Sequence, residues 1–368
     1  MKILLIEPYY SGSHKKWAEG LKKHSSHHVK ILSMKGQFWK WRMHGGAVTL
    51  AKIFNNMDWK PDLILSTDML DLTTFLALTR PKSNGVPTAI YFHENQISYP
   101  WSPRDRDILY ERDNHYGFIN YASALSADKV FFNSNFHMKT FLNDLLPFLK
   151  NFPDKNELNT IQEIKNKSVV LHLGLDFSNF KIKSDKKTNA PTILWNHRWE
   201  YDKNPELFFN VMKKLKDKKI DFNLIVIGES FGNSPKIFDK AKFEFDKHII
   251  KWGYQHSNSD YISCLFMSDI IPVTSNHDFF GISIMEAVFC NVWPILPDRL
   301  SYKELFKNKG YIENIYTDDS QLIKKIEVAI KNIHQIRNQS LKKIARDYDW
   351  RILAPVYDSE FEKITVKV

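Results

Sequence analysis

Short runs of apolar residues alternate with longer amphipathic stretches along the chain. The runs are rich in Val, Ile, Leu and Phe and are continuous, which is typical of parallel strands covered by helices on both faces. They predict six strands in the first half and five in the second, over Lys2–Ile6, Val29–Ser33, Leu63–Ser66, Thr88–Phe92, Lys129–Asn133 and Val169–Leu173, and then over Thr192–Asn196, Asn223–Ile227, Ile249–Trp252, Ile270–Thr274 and Trp293–Leu296.

The stretches between these strands have helical periodicity, for example Pro205–Lys216 and Tyr302–Lys307. Alternating strands and helices predict an α/β fold with two doubly wound domains. A polar segment over Phe180–Pro191 predicts a linker, so we expect Rossmann-like domains over residues 1–180 and 191–348. An apolar helical stripe predicts a C-terminal helix over residues 349–368 that packs back on the first domain. Ligands are then expected in the cleft between the domains, at the carboxyl ends of the strands.

Composition narrows the class of protein. The 368 residues are 43% hydrophobic and 26% charged, ordinary values for a globular protein. Two cysteines, Cys264 and Cys290, exclude a disulfide framework and a zinc site built from cysteine, and they fit the reducing cytoplasm. No run of 18 apolar residues is present, so no membrane span is expected. The segment Met1–Pro8 predicts a buried strand rather than a signal peptide.

The positive charge is concentrated at one end of the chain. The net charge is +10, and residues 1–60 hold eleven Lys and Arg against three Asp and Glu. Such an end indicates an anionic partner, which could be nucleic acid, anionic lipid or a phosphorylated ligand. A solvated basic face would give the same count.

Several common site motifs are missing. The chain has no Walker A loop and no G-x-G-x-x-G sequence, so NTPase and dehydrogenase activities lose their main support. Asp105 and Asp107 form a D-x-D pair, but they lie in a charged segment and do not follow an apolar strand. We therefore expect no metal site there.

Two cations follow the first strand of the second half. Arg198 and Lys203 lie in the segment Trp195–Pro205, between that strand and a predicted helix. This place suits a diphosphate, because a helix N-terminus offers free N–H groups and the two cations neutralise charge. Two unrelated surface cations would give the same pattern.

Two carboxylates follow a later strand. Asp278 and Glu286 are eight residues apart, and the turn between them contains Phe280, Gly281 and Ile282. If a helix begins near Gly281, both carboxylates and the free N–H groups of the turn face the same cleft.

Together these motifs resemble those of the retaining GT-B glycosyltransferases that use nucleotide sugars. The resemblance covers nearly the whole chain and implies that Arg198 and Lys203 bind the donor diphosphate and take part in catalysis. It also implies that Glu286 binds the ribose and that Asp278 works at the donor sugar. The first carboxylate of the family is usually Glu, and Asp278 is one methylene shorter.

Longer motifs in both halves are similar to those of the tRNA-queuosine α-mannosyltransferase family. They lie over Glu7–Lys15, Phe38–Arg42, Tyr91–Gln96, Phe132–Phe136, His197–Lys203 and Trp252–Tyr254. The resemblance implies transfer of mannose from GDP-mannose to queuosine in the anticodon loop of tRNA-Asp. GDP-mannose and queuosine-containing tRNA-Asp are then the expected partners.

The first-half motifs also have physical interpretations. Gly12 follows the first strand and lets backbone approach the donor sugar and phosphate, although an ordinary turn would also use it. By the resemblance, His93 contacts the donor and His14 lies on the acceptor side. A purely structural histidine is the alternative for His93.

Polar residues after the fourth strand are assigned to the acceptor as a group. Glu94, Asn95 and Gln96 offer hydrogen bonds to sugar hydroxyls. In the second half, Gly228, Gly253 and Tyr254 follow strands and are candidates for the guanine pocket.

The segment Phe38–Arg42 interleaves aromatic rings with cations in the most basic part of the chain. Trp39, Lys40, Trp41 and Arg42 are assigned to RNA, because loop bases are commonly stacked on aromatic side chains. The alternative is that both tryptophans belong to the core.

The resemblance implies a mechanism with no metal and no other cofactor. The cations of the protein stabilise the leaving diphosphate, which accepts the proton of the acceptor hydroxyl. Two other functions stay open at this point. One is a GT-B enzyme with a lipid-linked or polysaccharide acceptor, and the other is a non-catalytic RNA-binding relative.

Overall fold

The computed structural model describes residues 1–101, 114–181, 187–230 and 234–366. The contacts divide the chain into two compact units, one formed by Met1–Asp176 with Tyr348–Val368 and one formed by Phe177–Asp347. Each unit contains a parallel sheet of six strands. Asp105 and Asp107 lie outside the described residues.

The first sheet has the strand order β2-β1-β3-β4-β5-β6. Its strands are β1 (Lys2–Tyr10), β2 (His28–Lys35), β3 (Leu63–Thr67), β4 (Thr88–Phe92), β5 (Lys129–Phe132) and β6 (Ser168–Val170). The described helices of this unit are α1 (Gly12–His24), α2 (Trp39–Asn55), α3 (Leu72–Ser83), α4 (Asn114–Ser126), α5 (Asn135–Lys150), α6 (Thr160–Asn166) and α15 (Trp350–Thr365).

The second sheet has the strand order β12-β11-β10-β7-β8-β9. Its strands are β7 (Thr192–Trp195), β8 (Asn223–Ile227), β9 (Ile249–Gly253), β10 (Ile270–Pro272), β11 (Trp293–Pro297) and β12 (Ile315–Tyr316). The described helices are α7 (Pro205–Asp217), α8 (Ile237–Glu244), α9 (Asn258–Met267), α10 (Ile282–Phe289), α11 (Tyr302–Leu305), α12 (Asp319–Lys331), α13 (Ile333–Asn338) and α14 (Lys342–Arg346).

Continuous apolar strands build the core of each unit. All five residues of β3 and all five of β4 are buried, as expected where helices cover both faces of a parallel sheet. In the second unit Trp195 at the end of β7 is fully buried and packs against Phe208 of α7. The predicted α/β class and the eleven predicted strands are confirmed.

Several local features differ from the sequence prediction, and β6 and β10 end before the predicted ends at Leu173 and Thr274. Strand β1 continues past Pro8 to Tyr10, and its register on β2 shifts between Glu7 and Tyr10. The proline is tolerated because the pairing of β1 with β3 ends at Ile6. Strand β12 has only two residues and gave no apolar run long enough to predict it. Helix α11 ends at Leu305, two residues before the predicted end.

The C-terminal helix α15 packs on α1 within the first unit. Trp17 Nε1 donates a hydrogen bond to the Tyr357 hydroxyl at 3.1 Å, and this hydroxyl donates to the carbonyl of His172 at 2.8 Å. A Cβ on Gly20 would lie 2.0 Å from Nε1 of Trp350, so α1 approaches α15 closely because position 20 has no side chain. Among the described helices, none is both long enough and apolar enough to cross a bilayer.

Candidate active site

The loop after β7 places two cations in different environments. Arg198 has a side chain that is 44% exposed, with a guanidinium nitrogen 3.2 Å from Oε2 of Glu200. Lys203 ends a 3-10 turn and is nearly buried. Asn204 then caps α7 through its side-chain oxygen, which accepts from the N–H of Leu207 at 3.3 Å. The short connection therefore fixes Lys203 one residue before a helix N-terminus.

Lys203 joins this loop to the loop after β10. Its Nζ donates to the carbonyl oxygen of His277 at 2.8 Å and lies 3.2 Å from Oδ2 of Asp202. It also lies 3.7 Å from Oδ2 of Asp278. The structure thus brings together Lys203 and Asp278, two residues that the sequence separates by 75 positions.

Asp278 is an ionised carboxylate whose side chain is only 16% exposed. Oδ2 accepts a hydrogen bond from the Tyr302 hydroxyl at 3.0 Å, and Oδ1 accepts from the N–H of Phe280 at 3.3 Å. Burial alone would raise the pKa of Asp278, but the charge of Lys203, together with the neighbouring histidines and the hydrogen bond from Tyr302, outweighs it and holds this pKa below its ordinary value.

The turn after Asp278 begins helix α10. Gly281 caps this helix with a φ of 94°, a left-handed conformation that favours glycine. Ile282 is the first residue of the helix, and Glu286 lies four residues further on and is buried. Oε2 of Glu286 accepts a short hydrogen bond of 2.6 Å from the Tyr261 hydroxyl of α9. The eight-residue spacing thus places the two carboxylates on either side of the helix start.

Two buried histidines complete this group, and sequence reasoning gave them no role. Burial and the charge of Lys203 lower the pKa of His197 to about 4 and that of His277 to about 4, so both are neutral at pH 7. Nδ1 of His197 lies 3.1 Å from the Ser283 hydroxyl of α10. The signal that could have found them is their place inside the two motifs that carry Arg198 and Asp278.

The candidates for the guanine pocket lie at the ends of β8 and β9. A Cβ on Gly228 would lie 2.0 Å from the carbonyl oxygen of His197, so this glycine is required by close packing of two loops. Gly253 has a φ of 92° and open space around it, and Tyr254 is 54% exposed. Contact of these residues with a guanine stays a prediction.

In the first unit, His14 and His93 form a buried polar group with Glu7. Nδ1 of His14 lies 3.0 Å from Oε2 of Glu7, and the two imidazole rings are stacked. Burial alone would lower the pKa of His14, but Glu7 raises it to about 9. Burial and the charge of His14 lower the pKa of His93 well below its ordinary value. At neutral pH His14 is therefore charged and His93 is neutral.

Neither ring nitrogen of His93 has a hydrogen-bond partner among the described residues. Its backbone N–H donates to Oδ1 of Asp68 at 2.8 Å, and Nδ1 of its ring lies 3.4 Å from the same oxygen. Gly12, with a φ of 50°, starts α1 next to this group. His14 lies inside the group rather than on the surface, and its predicted contact with RNA stays a prediction.

The three polar residues after His93 form their own local hydrogen bonds. The side-chain oxygen of Asn95 accepts from the N–H groups of Ile97 and Ser98, and this residue is fully buried. Gln96 Nε2 donates to Oε1 of Glu94 at 3.1 Å. The structure therefore gives Asn95 a role in the turn, and contact of any of the three with an acceptor stays a prediction.

The start of α2 separates the two predicted RNA-binding tryptophans. Trp39 is half-buried, with its ring centroid 5.1 Å from that of Tyr116, whereas Trp41 is 62% exposed. Lys40 Nζ lies 5.5 Å from the ring centroid of Trp39, and Nε of Arg42 donates to the carbonyl of Lys35 at 3.1 Å.

One group of described residues has ligand atoms close enough for a metal ion, namely Glu7, His14 and His93, whose atoms lie within 4.8 Å of one another. However, the planes of the two stacked imidazoles differ by only 29°. Nitrogen lone pairs lie in the ring plane, so those of stacked rings run side by side and do not converge on one ion. The group fits a hydrogen-bonded ion pair better than a metal centre.

Comparison with known proteins identifies the family. The family model described as tRNA-queuosine alpha-mannosyltransferase N-terminal matches residues 2–175, and that of glycosyl transferases group 1 matches residues 176–348. The tRNA-queuosine alpha-mannosyltransferase of Drosophila melanogaster is 32% identical over 334 residues, which are 88% of this chain and 85% of that protein. The chain belongs to the tRNA-queuosine alpha-mannosyltransferase family.

Membership of the tRNA-queuosine alpha-mannosyltransferase family makes this protein a glycosyltransferase that transfers a hexose. The solved structure of sucrose-phosphate synthase from Thermosynechococcus elongatus is similar, with a TM-score of 0.71, 13% identity and coverage of 100% of both chains. HepE of Anabaena in complex with UDP has a TM-score of 0.65 and 14% identity, again over 100% of both chains. These likenesses confirm the GT-B fold for this member of the family.

Proposed function

We propose that this enzyme transfers mannose from GDP-mannose to the queuosine base of tRNA-Asp, with retention of configuration at the anomeric carbon. Support for the sugar and the acceptor comes from the 32% identity to a protein with that named activity. Support for the donor chemistry comes from one observation above all. The buried ammonium of Lys203 lies 3.7 Å from Asp278, in the loop that also carries the half-exposed Arg198.

Arg198 and Lys203 suit a donor diphosphate because they follow a strand and precede the N-terminus of α7. The guanidinium of Arg198 is 44% exposed beside Glu200, and a guanidinium is the group that contacts phosphate oxygens in a bidentate way. Glu286 is assigned to the ribose, since its carboxylate is already oriented by the Tyr261 hydroxyl at 2.6 Å. Phe280 is buried. The turn formed by Phe280, Gly281 and Ile282 is assigned to binding of the donor.

In the proposed reaction the bond between the anomeric carbon and the diphosphate oxygen breaks, and a bond to the acceptor hydroxyl oxygen forms on the same face. The hydroxyl proton moves to the departing diphosphate, so no covalent intermediate on the protein is needed. The task of the side chains is to stabilise the negative charge that develops on the leaving group. Asp278, ionised at neutral pH, faces the sugar and favours positive charge on its ring.

His93 is assigned to the transferred sugar, because its ring is neutral and has no hydrogen-bond partner among the described residues. A neutral imidazole has one donor and one acceptor nitrogen, which suits a sugar hydroxyl. No metal or other cofactor takes part in this proposal. A cytoplasmic location is also part of it, and rests on the buried cysteines Cys264 and Cys290, which form no disulfide.

The test is a donor competition with mass-spectrometric readout. Queuosine-containing tRNA-Asp is incubated with GDP-mannose, GDP-glucose, UDP-glucose or UDP-galactose, and the nucleosides are then analysed. We expect a hexose on queuosine with GDP-mannose, and its release by an α-mannosidase but not by a β-mannosidase. Preferred use of another nucleotide sugar, or release by the β-mannosidase, would contradict the donor or the retention.

A further inference from the structure

Two exposed aromatic side chains lie at the start of α2, in the most basic part of the chain. Phe38 is 76% exposed and Trp41 is 62% exposed. Residues 1–60 carry eight more Lys and Arg than Asp and Glu. Covering such rings with a partner removes apolar surface from water and is favourable. The positive charge of this part of the chain indicates that the partner is an anion.

The ring of Trp41 lies against the backbone of α2 because position 45 is a glycine. A Cβ on Gly45 would be 2.5 Å from Cζ2 of Trp41 and 2.6 Å from Cε2. Any other residue would push the indole off the helix. Glycine is a poor helix former compared with alanine, so the helix carries an unfavourable residue at position 45, where it supports the exposed ring.

Phe38 adopts a backbone conformation that bulky residues rarely adopt. Its φ is 52° and its ψ is 57°, in the left-handed region. Its side chain is mostly exposed, so burial of the ring does not compensate for the strain. Backbone strain at an exposed side chain is typical of binding sites.

The first turn of α2 is held by several contacts and lies beside the loop that starts α1. Lys40 Nζ lies 5.3 Å from the ring centroid of Trp101 and 5.5 Å from that of Trp39. A Cβ on Gly36 would lie 2.1 Å from the hydroxyl oxygen of Ser11. The segment that carries Phe38 therefore approaches Ser11, the N-cap of α1, one residue before Gly12, which is assigned to the donor.

We propose that Phe38 and Trp41 form a stacking platform for unpaired bases of the acceptor RNA, with Gly45 as the positioning residue that holds the Trp41 ring flat. Every nucleobase has a face that stacks on an aromatic ring, and nearby cations attract the phosphates. Protein partners also cover exposed rings, but the charge of this region favours RNA. The inference rests on the proposed function and adds the residues that hold the acceptor.

The test uses the anticodon stem-loop of tRNA-Asp with 2-aminopurine placed in turn at each loop position, because stacking quenches its fluorescence. Trp41→Ala is expected to weaken binding by about 5- to 150-fold, and Trp41→Phe to recover most of it. Gly45→Ala should also weaken binding while the unfolding temperature stays the same or rises, since alanine favours the helix. Phe38→Gly should also weaken RNA binding. Its unfolding temperature should not fall, because glycine adopts the left-handed conformation without strain.

Phe243→Ala is the matched control, since Phe243 is an 89% exposed aromatic residue of α8 in the other unit, and RNA affinity should not change. Wild-type affinity and quenching in Trp41→Ala, Phe38→Gly and Gly45→Ala would overturn the platform. If the wild-type protein forms a dimer that Trp41→Ala does not form, and RNA binding is unchanged, the platform is overturned. The exposed ring would then contact a second copy of the chain.

The two proposals fail in different ways. If the wild-type protein binds the probe and the three variants do not, but no mannose reaches queuosine, the platform is supported and the proposed function is wrong. If mannose transfer occurs and the three variants bind the probe as the wild-type protein does, the proposed function is supported and the platform is wrong.

Discussion

The imidazole rings of His14 and His93 are stacked, with centroids 4.2 Å apart and ring planes that differ by 29°. Glu7 holds a proton on His14 through a 3.0 Å contact, and the charged His14 in turn disfavours a second proton on His93. One buried ion pair thus keeps the neighbouring imidazole neutral. A neutral His93 offers one donor and one acceptor nitrogen for the proposed sugar contact.

Stability should fall at alkaline pH because of His14. Its pKa is raised from 6.5 to about 9 in the folded protein. The stabilising contribution of this proton is therefore complete below pH 6.5 and is lost as the pH rises through 9. Urea unfolding across this range should show the fall in the wild-type protein and a smaller one in His14→Gln. The same pH dependence in both proteins would contradict the ion pair.

Loss of either donor cation should reduce turnover strongly. Arg198→Ala and Lys203→Ala each remove a positive charge proposed to stabilise the leaving diphosphate. The loss of transition-state stabilisation, calculated from the ratio of the kcat/KM values, should be about 2–4 kcal/mol. Arg198→Ala is the cleaner variant, since Arg198 is half-exposed whereas Lys203 is nearly buried between Asp202 and Asp278. Steady-state kinetics with GDP-mannose and thermal unfolding are measured together.

Lys213→Ala is the control for these variants, because Lys213 is an exposed cation of α7 and its removal should leave turnover unchanged. A near-wild-type rate in a folded Arg198→Ala protein would remove the diphosphate role.

Glu286→Gln should weaken binding of GDP without loss of the fold. A charged hydrogen bond to a ribose hydroxyl contributes about 1.5–3 kcal/mol, so calorimetry should show an affinity lower by about 10- to 150-fold. Tyr261→Phe removes only the hydroxyl that orients Glu286, and a smaller loss is expected. Unchanged GDP affinity in Glu286→Gln would refute the ribose assignment.

The sequence predicted the strands well because their signal is local. Continuous apolar runs give β3 and β4 directly, whereas the two-residue strand β12 forms only through its pairing with β11. The division between Trp39 and Trp41 could not be predicted, because it depends on α4, which supplies Tyr116 to cover only one of the two rings.

The candidate site shows the same limit. Motif spacing predicted Arg198, Lys203, Asp278 and Glu286 as a group. The residues that orient the carboxylates, Tyr302 for Asp278 and Tyr261 for Glu286, contact them from 24 and 25 positions away. No local pattern marks such a partner, so sequence reasoning did not find it.

Activity should survive excess EDTA, because protein cations neutralise the leaving group in this account. Chelation is tested in the transfer assay with and without added magnesium or manganese. Loss of activity that either metal restores would contradict the prediction. The double variant Asp105→Asn/Asp107→Asn and the single variant Glu7→Gln would then be compared in the same transfer assay. The variant that no longer responds to added metal would identify the carboxylates that bind it.

Transfer to queuosine is the central claim, and the most direct measurement compares two tRNAs that differ only in that base. Purified enzyme and GDP-mannose are incubated with tRNA-Asp that carries queuosine and with tRNA-Asp that carries guanosine at the same position, and the nucleosides are separated by mass spectrometry. The account predicts that one hexose is added to queuosine and none to the guanosine-containing tRNA, and that Arg198→Ala reduces the first product strongly. Equal transfer to both tRNAs, or transfer to neither by an enzyme that binds GDP, would contradict it.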